Sequence, residues 1–187
     1  MMDVNRAIKN RRAFRNLDPI SPNNKEIKQL ETAIQLAPSC FNNQPWRYVF
    51  ITDDDKRKEM QNVLSKGNEW AFHAGMYVAV CARKEDDCVI YDREYYLFDA
   101  GIATGFLILQ ATELGLVAHP IAGYSPKKTR KVLGIPEDMQ VIALVIIGNK
   151  RDEIRKELTE KQRESEKDRP KRKPIEDLVY YNQYLER

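Results

Sequence analysis

Three short apolar runs, at 48–51, 76–81 and 141–147, constrain this chain more than any other feature. Each is rich in β-branched and aromatic residues and too short to be a self-sufficient helix, so each reads as a buried strand of a sheet. Helical patterns lie between them. Val4, Ala7 and Ile8 mark a first short helix. Ser21 and Pro22 read as the N-cap and first-turn proline of a second helix, with Ile27, Leu30, Ile34 and Ala37 on one face and Pro38 as its stop. A charged helix turns Met60, Val63 and Leu64 inward. The longest apolar helix runs from about Asp92 to Leu114, Val117 to Ile121 is extended, and Ser125-Pro126 opens a further helix.

Ala100, Gly101, Ala103, Thr104 and Gly105 occupy the middle of the long helix. A helical glycine costs about 1 kcal/mol against alanine, so two of them point to another backbone packed very close. A helix-on-sheet contact within one subunit is the preferred reading from the residue pattern, and a subunit interface is the alternative.

No linker or internal repeat divides the sequence, so 1–187 reads as a single domain, large enough to bury roughly 70% of its unfolded surface. The N-terminus lacks the apolar run of a signal peptide and no stretch approaches a membrane span, which predicts a cytoplasmic protein with no membrane partner. Cys40, Cys81 and Cys88 form an odd set with no Cys-x-x-Cys pair, which argues against a disulfide framework and against a metal site. Cys40 reads as small-residue packing, with an accessible thiol as the alternative.

The net charge of +3 comes from one stretch: 150–173 holds eleven Lys/Arg and seven Asp/Glu, a balance of +4, which leaves −1 for the remainder. A polyanion-binding protein needs a coherent basic face, so a nucleic-acid-binding module is disfavoured. The alternating signs read as a solvated helix or mobile excursion over 150–170, a candidate lid together with 67–74. Beyond it, 174–187 is too apolar to hang free and must dock on something.

Two segments carry chemistry. Arg11, Arg12 and Arg15 follow the first helix, and at helical spacing Arg11 and Arg15 share a face while Arg12 points elsewhere. Guanidinium forks suit phosphate oxygens, although a solvated basic helix end has the same composition. The loop Pro38-Ser39-Cys40-Phe41-Asn42-Asn43-Gln44-Pro45 offers a hydroxyl and amides stiffened by two prolines, a donor and acceptor mix also found in a plain capped turn. His73 and His119, the two histidines, stand in no recognisable catalytic motif and read as structural.

Together these segments resemble the FMN-dependent nitroreductases, whose early part reads Arg-Arg-Ser-x-Arg and then Ala-Pro-Ser-x-x-Asn-x-Gln-Pro-Trp. The similarity continues through Asp99-Ala100-Gly101-Ile102-Ala103, Glu113-Leu114-Gly115-Leu116, Pro120-Ile121-Ala122-Gly123-Tyr124, Leu133-Gly134-Ile135-Pro136-Glu137 and Arg172-Lys173-Pro174-Ile175-Glu176-Asp177-Leu178-Val179. The resemblance implies an α+β sandwich with a mainly antiparallel sheet between helices, and an intertwined homodimer whose C-terminal segment extends the partner's sheet. It also implies FMN at the interface, with NADH or NADPH as co-substrate and chemistry at flavin N5 in place of a catalytic side chain.

By the same resemblance Arg11 and Arg172 hold the phosphate, with Arg12, Ala13 and Lys173 adjoining, and Arg15 lies at the flavin N1/O2 edge. Pro38, Ser39, Asn42 and Gln44 come from the other subunit, Asn68 meets the pyrimidine ring, Ala122 and Gly123 present backbone N–H groups to N5 and O4, and Pro120 and Ile121 before them also belong to the cofactor site. Ala13 replaces the family's usual serine, and Trp70 and Ala71 stand where some members place a lysine. The implied activity is ping-pong reduction of nitroaromatic or quinone-type acceptors. A specialised FMN reaction, such as dehalogenation, flavin fragmentation or azoline oxidation, is the alternative.

Overall fold

The three apolar runs form adjacent antiparallel strands. In the computed structural model, which describes residues 3–186, the elements follow in the order α1 (Val4–Asn10), β1 (Leu17–Asp18), α2 (Asn24–Gln35), β2 (Trp46–Ile51), α3 (Asp54–Gln61), β3 (Met76–Ala82), β4 (Val89–Ile90), β5 (Arg93–Glu94), α4 (Tyr96–Glu113), β6 (Val117–Ile121), α5 (Pro126–Leu133), β7 (Gln140–Lys150) and α6 (Glu160–Lys167). β3 lies between β2 and β7, and the far edge of β7 pairs with β6 and then with β1, all antiparallel.

Every residue of β3 is buried, so its side chains alternate between two cores. Tyr77, Ala79 and Cys81 join Leu144, Ile146, Val117 and Ile121 on the face covered by Met60 of α3 and by Trp70 and Tyr124. Met76, Val78 and Val80 join Val145, Ile147 and Ala118 on the opposite face, under Leu30 and Ile34 of α2 and Ala100, Ala103, Leu107 and Ala111 of α4. The architecture is an α+β sandwich with helices on both sides of one antiparallel sheet. Among the described residues no helix is long and apolar enough to cross a membrane.

Several local expectations are corrected. α2 is capped by Asn23, not Ser21: the Asn23 side chain accepts from the Glu26 N–H while the Glu26 carboxylate accepts from the Asn23 N–H, a reciprocal box that a Ser21 start could not form. The long helix begins at Tyr96 and not near Asp92, because 89–94 closes a two-stranded hairpin with Tyr91 in the left-handed region at φ 59°. A Cβ built on Gly101 or Gly105 meets nothing within 4 Å. The two glycines therefore face away from the sheet, and the contact they were expected to make within one subunit does not exist. Finally, 150–170 is neither a free excursion nor merely solvated: α6 carries a capping box at Thr159 and buries Glu166, and Leu158 is also buried.

Candidate functional site

α1 ends at Asn10, and Arg11, its C-cap, turns to ψ 121°, so 11–16 lies outside any helix. Helical spacing therefore does not put Arg11 and Arg15 on one face. What organises these residues is α6, 150 positions later in the chain. The Glu166 carboxylate accepts the Arg15 N–H at 2.8 Å and the Asn16 N–H at 3.4 Å, and the Ser165 hydroxyl accepts from the Arg15 guanidinium at 3.2 Å. Arg12 donates to the carbonyls of Ser165, Glu166, Lys167 and Asp168 at 2.8–3.4 Å and sits 4.4 Å over the Phe14 ring. These are the orphan carbonyls at the end of α6, where the helix dipole is negative. Arg12 is thus a helix cap, committed to the backbone. Replacing it with Ala should free α6, measured as faster amide exchange across 160–168 with β3 unchanged.

Arg11 is left for a different task. Burial and the fields of Arg169 and Arg172 lower its pKa, so three guanidinium groups converge. Arg169 is fixed by donating to the carbonyls of Lys9 and Arg11 at 2.6 and 2.8 Å, a part that no motif signals. Among the described residues none of Arg11, Arg12, Arg15, Arg169 or Arg172 forms an ion pair with a carboxylate. Guanidinium groups gathered without a carboxylate in ion-pair contact fit an anionic group such as a phosphate. Ala13 is exposed beside them, as are Arg172 and Lys173.

A chain of contacts ties this cluster to the turn after β6. His119 Nδ1 meets the Phe14 carbonyl at 3.0 Å, so the ring is held as the Nδ1–H tautomer, and it stacks on Trp70 with ring centroids 4.7 Å apart. Trp70 Nε1 donates to Asn68 Oδ1 at 3.2 Å, and Asn68 Nδ2 donates to the Gly123 carbonyl at 2.8 Å. That carbonyl also accepts from the Ser65 N–H, whereas among the described residues neither the Ala122 nor the Gly123 N–H is a donor in this turn. A Cβ on Gly123 would lie 2.2 Å from Asn68 Nδ2, so only glycine lets the asparagine close on the turn. Gln162 of α6 donates to the Gly67 carbonyl at 2.9 Å, joining the two segments expected to form a lid. Burial pushes the His119 pKa down to about 4, assisted by Arg15 and Arg11 and opposed by the Phe14 carbonyl. The ring is neutral, and its role is to support this frame.

Arg11, Arg15, Asn68, Ala122, Gly123 and Arg172 are therefore gathered around the frame of His119 and Trp70, with Pro120 exposed and Ile121 buried in the strand that carries it. The 38–44 loop is not with them. It follows Ala37 and leads into Trp46, both in the core under α2 and α4, on the opposite face of the sheet. Phe41, Asn42 and Gln44 have φ of 47°, 59° and 50°. Ser39 Oγ accepts the Gln44 N–H at 2.9 Å, and Gln44 Nε2 donates to the Asn42 carbonyl at 3.1 Å. Cys40 is joined to Cys88 in a disulfide with Cα atoms 6.3 Å apart, contrary to the expectation of no such bond. The two cysteines lie 48 residues apart, and only the folding of the hairpin of β4 and β5 against the loop brings them together.

Comparison with known proteins bears on the family and the fold. The model of the nitroreductase family matches residues 8–69 and 64–149. An Archaeoglobus fulgidus protein, named provisionally as an NADH dehydrogenase/NAD(P)H nitroreductase, is 29% identical over 157 residues, which are 82% of this chain and 88% of that one. A Thermus thermophilus NADH dehydrogenase is 25% identical over 181 residues, 79% of this chain and 87% of its own. A crystal structure described as that of an oxidoreductase containing FMN superposes with a TM-score of 0.84 at 27% identity, covering 100% of this chain and 94% of the other. With the family model spanning most of its length, and with this fold, the chain belongs to the nitroreductase family.

Proposed function

We propose that this protein is an FMN-dependent oxidoreductase that uses NADH or NADPH to reduce nitroaromatic or quinone-type acceptors in the cytoplasm. The observation that carries the reading is the convergence of Arg11, Arg169 and Arg172, with no carboxylate in ion-pair contact among the described residues, on the frame that also presents Arg15 and the Gly123 turn. The names of its relatives support the NAD(P)H-dependent activity, and the similar oxidoreductase containing FMN supports the cofactor.

FMN bound here would supply two-electron hydride chemistry between the nicotinamide and the acceptor. Arg11 and Arg172 hold its phosphate, with Lys173 beside them, and Arg169 stiffens the Arg11 backbone from which that contact is made. Arg15, its N–H fixed by Glu166, supplies positive charge at the edge where reduction adds negative charge, which favours the reduced form. The Ala122 and Gly123 N–H groups offer donors at the reacting edge, and neutral His119 holds the segment without adding a proton of its own. No acid–base dyad is required.

We further read Pro38, Ser39, Asn42 and Gln44 as belonging to the site of a second copy, since one sheet separates them from the arginines of their own chain. Leu97, Phe98, Gly101 and Phe106 of α4 are exposed, and Val4, Ala7, Ala33, Leu36, Phe106 and Leu109 line an apolar groove of about 420 Å³. The C-terminal segment leaves Ile175, Leu178, Tyr181 and Tyr184 at 63%, 58%, 84% and 73% exposure, far more apolar surface than a free tail carries. Its docking on the partner accounts for both surfaces. Light scattering of the FMN-loaded protein should give a dimer with two FMN. A monomer that retains FMN stoichiometrically would exclude the shared site.

A further inference from the structure

We propose that the Cys40–Cys88 disulfide is a thiol–disulfide exchange site that clamps the 38–44 loop in its ligand-binding shape, so that a dithiol reductant loosens FMN. The proposal rests on the reading that this loop contacts FMN, and its clamp can be tested separately from that reading.

The loop needs a clamp. Three consecutive-region residues other than glycine, Phe41, Asn42 and Gln44, occupy the left-handed region, which L-residues adopt only where their surroundings impose it. Phe41 is 82% exposed, so packing does not impose it there. Beyond the loop's own hydrogen bonds through Ser39 and Gln44, the restraints come from the disulfide and the groups around it. The Cys40 N–H donates to Asp99 Oδ2 at 2.6 Å, and the Cys88 N–H donates to Asp87 Oδ1 at 2.8 Å. Asn43 Nδ2 donates to the same Asp87 oxygen at 3.2 Å. Each half-cystine is thus held by one carboxylate, and the two carboxylates interact with each other. The disulfide alone is the covalent member of this set, and both of its cysteines are half-buried rather than sealed. Cys81, the third cysteine, lies in β3, where burial pushes its thiol up to about 11, so it is a poor rival in exchange.

Exchange begins when a thiolate of an external dithiol attacks Sγ of Cys40 or Cys88. The S–S bond breaks, the released sulfur takes up a proton, and a mixed disulfide forms. The second thiol of the reductant then displaces the remaining cysteine. The protein disulfide gains two electrons and two protons, and the reductant leaves as a disulfide. Two thiols at van der Waals separation replace one bond, in a pocket where Asp87 and Asp99 disfavour further negative charge. The loop is then free to leave the left-handed conformations that place Ser39, Asn42 and Gln44.

The test compares the air-oxidised holoprotein, the same protein after dithiothreitol, and Cys88→Ser. Free thiols counted in denaturant should rise from one per chain to three on reduction. Oxidised FMN, titrated in the dark by fluorescence, should bind the reduced protein and Cys88→Ser about tenfold more weakly, the scale of re-ordering a single loop residue on binding. Amide exchange should accelerate at 38–44 and stay unchanged in β3. Three free thiols before reduction, or equal FMN affinity and equal loop exchange in all three samples, would overturn the proposal. Should Cys88→Ser not fold, the reduced wild type carries the comparison. Failure of the oxidised protein to bind FMN at all would overturn the functional reading, and loop exchange with and without dithiothreitol would still decide the clamp.

Discussion

Arg11→Ala should bind FMN roughly 10- to 150-fold more weakly than the wild type while binding riboflavin nearly unchanged. A hydrogen bond to a charged group is worth about 1.5–3 kcal/mol, and riboflavin lacks the phosphate that would make it. Arg172→Ala should behave alike, because Arg172 acts on Arg11 through its field and is exposed enough to move onto an arriving anion. Removing either arginine also relieves the repulsion among Arg11, Arg169 and Arg172, so the apo-protein should gain slightly in stability as it loses the ligand. That opposition separates a binding arginine from a structural one: Arg12→Ala, which strips the cap from α6, should cost stability with or without FMN. Fluorescence titration with the two flavins checks the prediction. Equal losses for FMN and riboflavin would place Arg11 away from the phosphate.

Acid should weaken the fold through His119 well before carboxylate titration is complete. The His119 pKa is depressed from about 6.5 to about 4, so between those values the unfolded chain takes up a proton that the folded chain refuses. Stability is therefore intact above the unfolded pKa and falls as pH drops from about 6.5 to about 4, by about 3 kcal/mol at most, a large share of the 5–15 kcal/mol that typically holds a domain together. His73, also lowered by burial and by Arg155, adds to the same limb. Asp99, whose carboxyl is raised chiefly by burial, acts in the opposite direction and loses stability as pH rises. His119→Asn keeps a donor for the Phe14 carbonyl but cannot be protonated. Chemical denaturation at pH 7 and pH 5 should show a smaller pH difference for the variant than for the wild type. An unchanged difference would locate the acid sensitivity elsewhere.

The sheet was legible because apolar runs of strand length have few other uses, and the cap at Ser125-Pro126 was legible because both signals are local. The cap of α2 was misplaced by two residues because Ser21 and Asn23 are both good caps, and the choice fell to Glu26 across a three-residue reciprocal box. Gly101 and Gly105 were placed on the wrong side since small residues signal a close approach without naming the face. The family motifs drew attention to Arg11, Arg15, the 38–44 loop and the Gly123 turn. They did not reveal that Arg12 is spent on carbonyls more than 150 residues away, or that Arg169 joins the cluster. The Cys40–Cys88 bond escaped for the same reason, because such pairings exist only once α6 and the hairpin of β4 and β5 have folded onto the early chain.

The central claim is that these residues hold FMN and pass electrons to it from a nicotinamide. The most direct measurement is anaerobic titration of the FMN-loaded protein with NADH and with NADPH, following the visible flavin absorbance, then adding a quinone or nitroaromatic acceptor. Stoichiometric bleaching by one or both nicotinamides, with the band restored by the acceptor, is the result expected. Bound FMN that neither nicotinamide bleaches, or a protein that takes up no FMN, would contradict it.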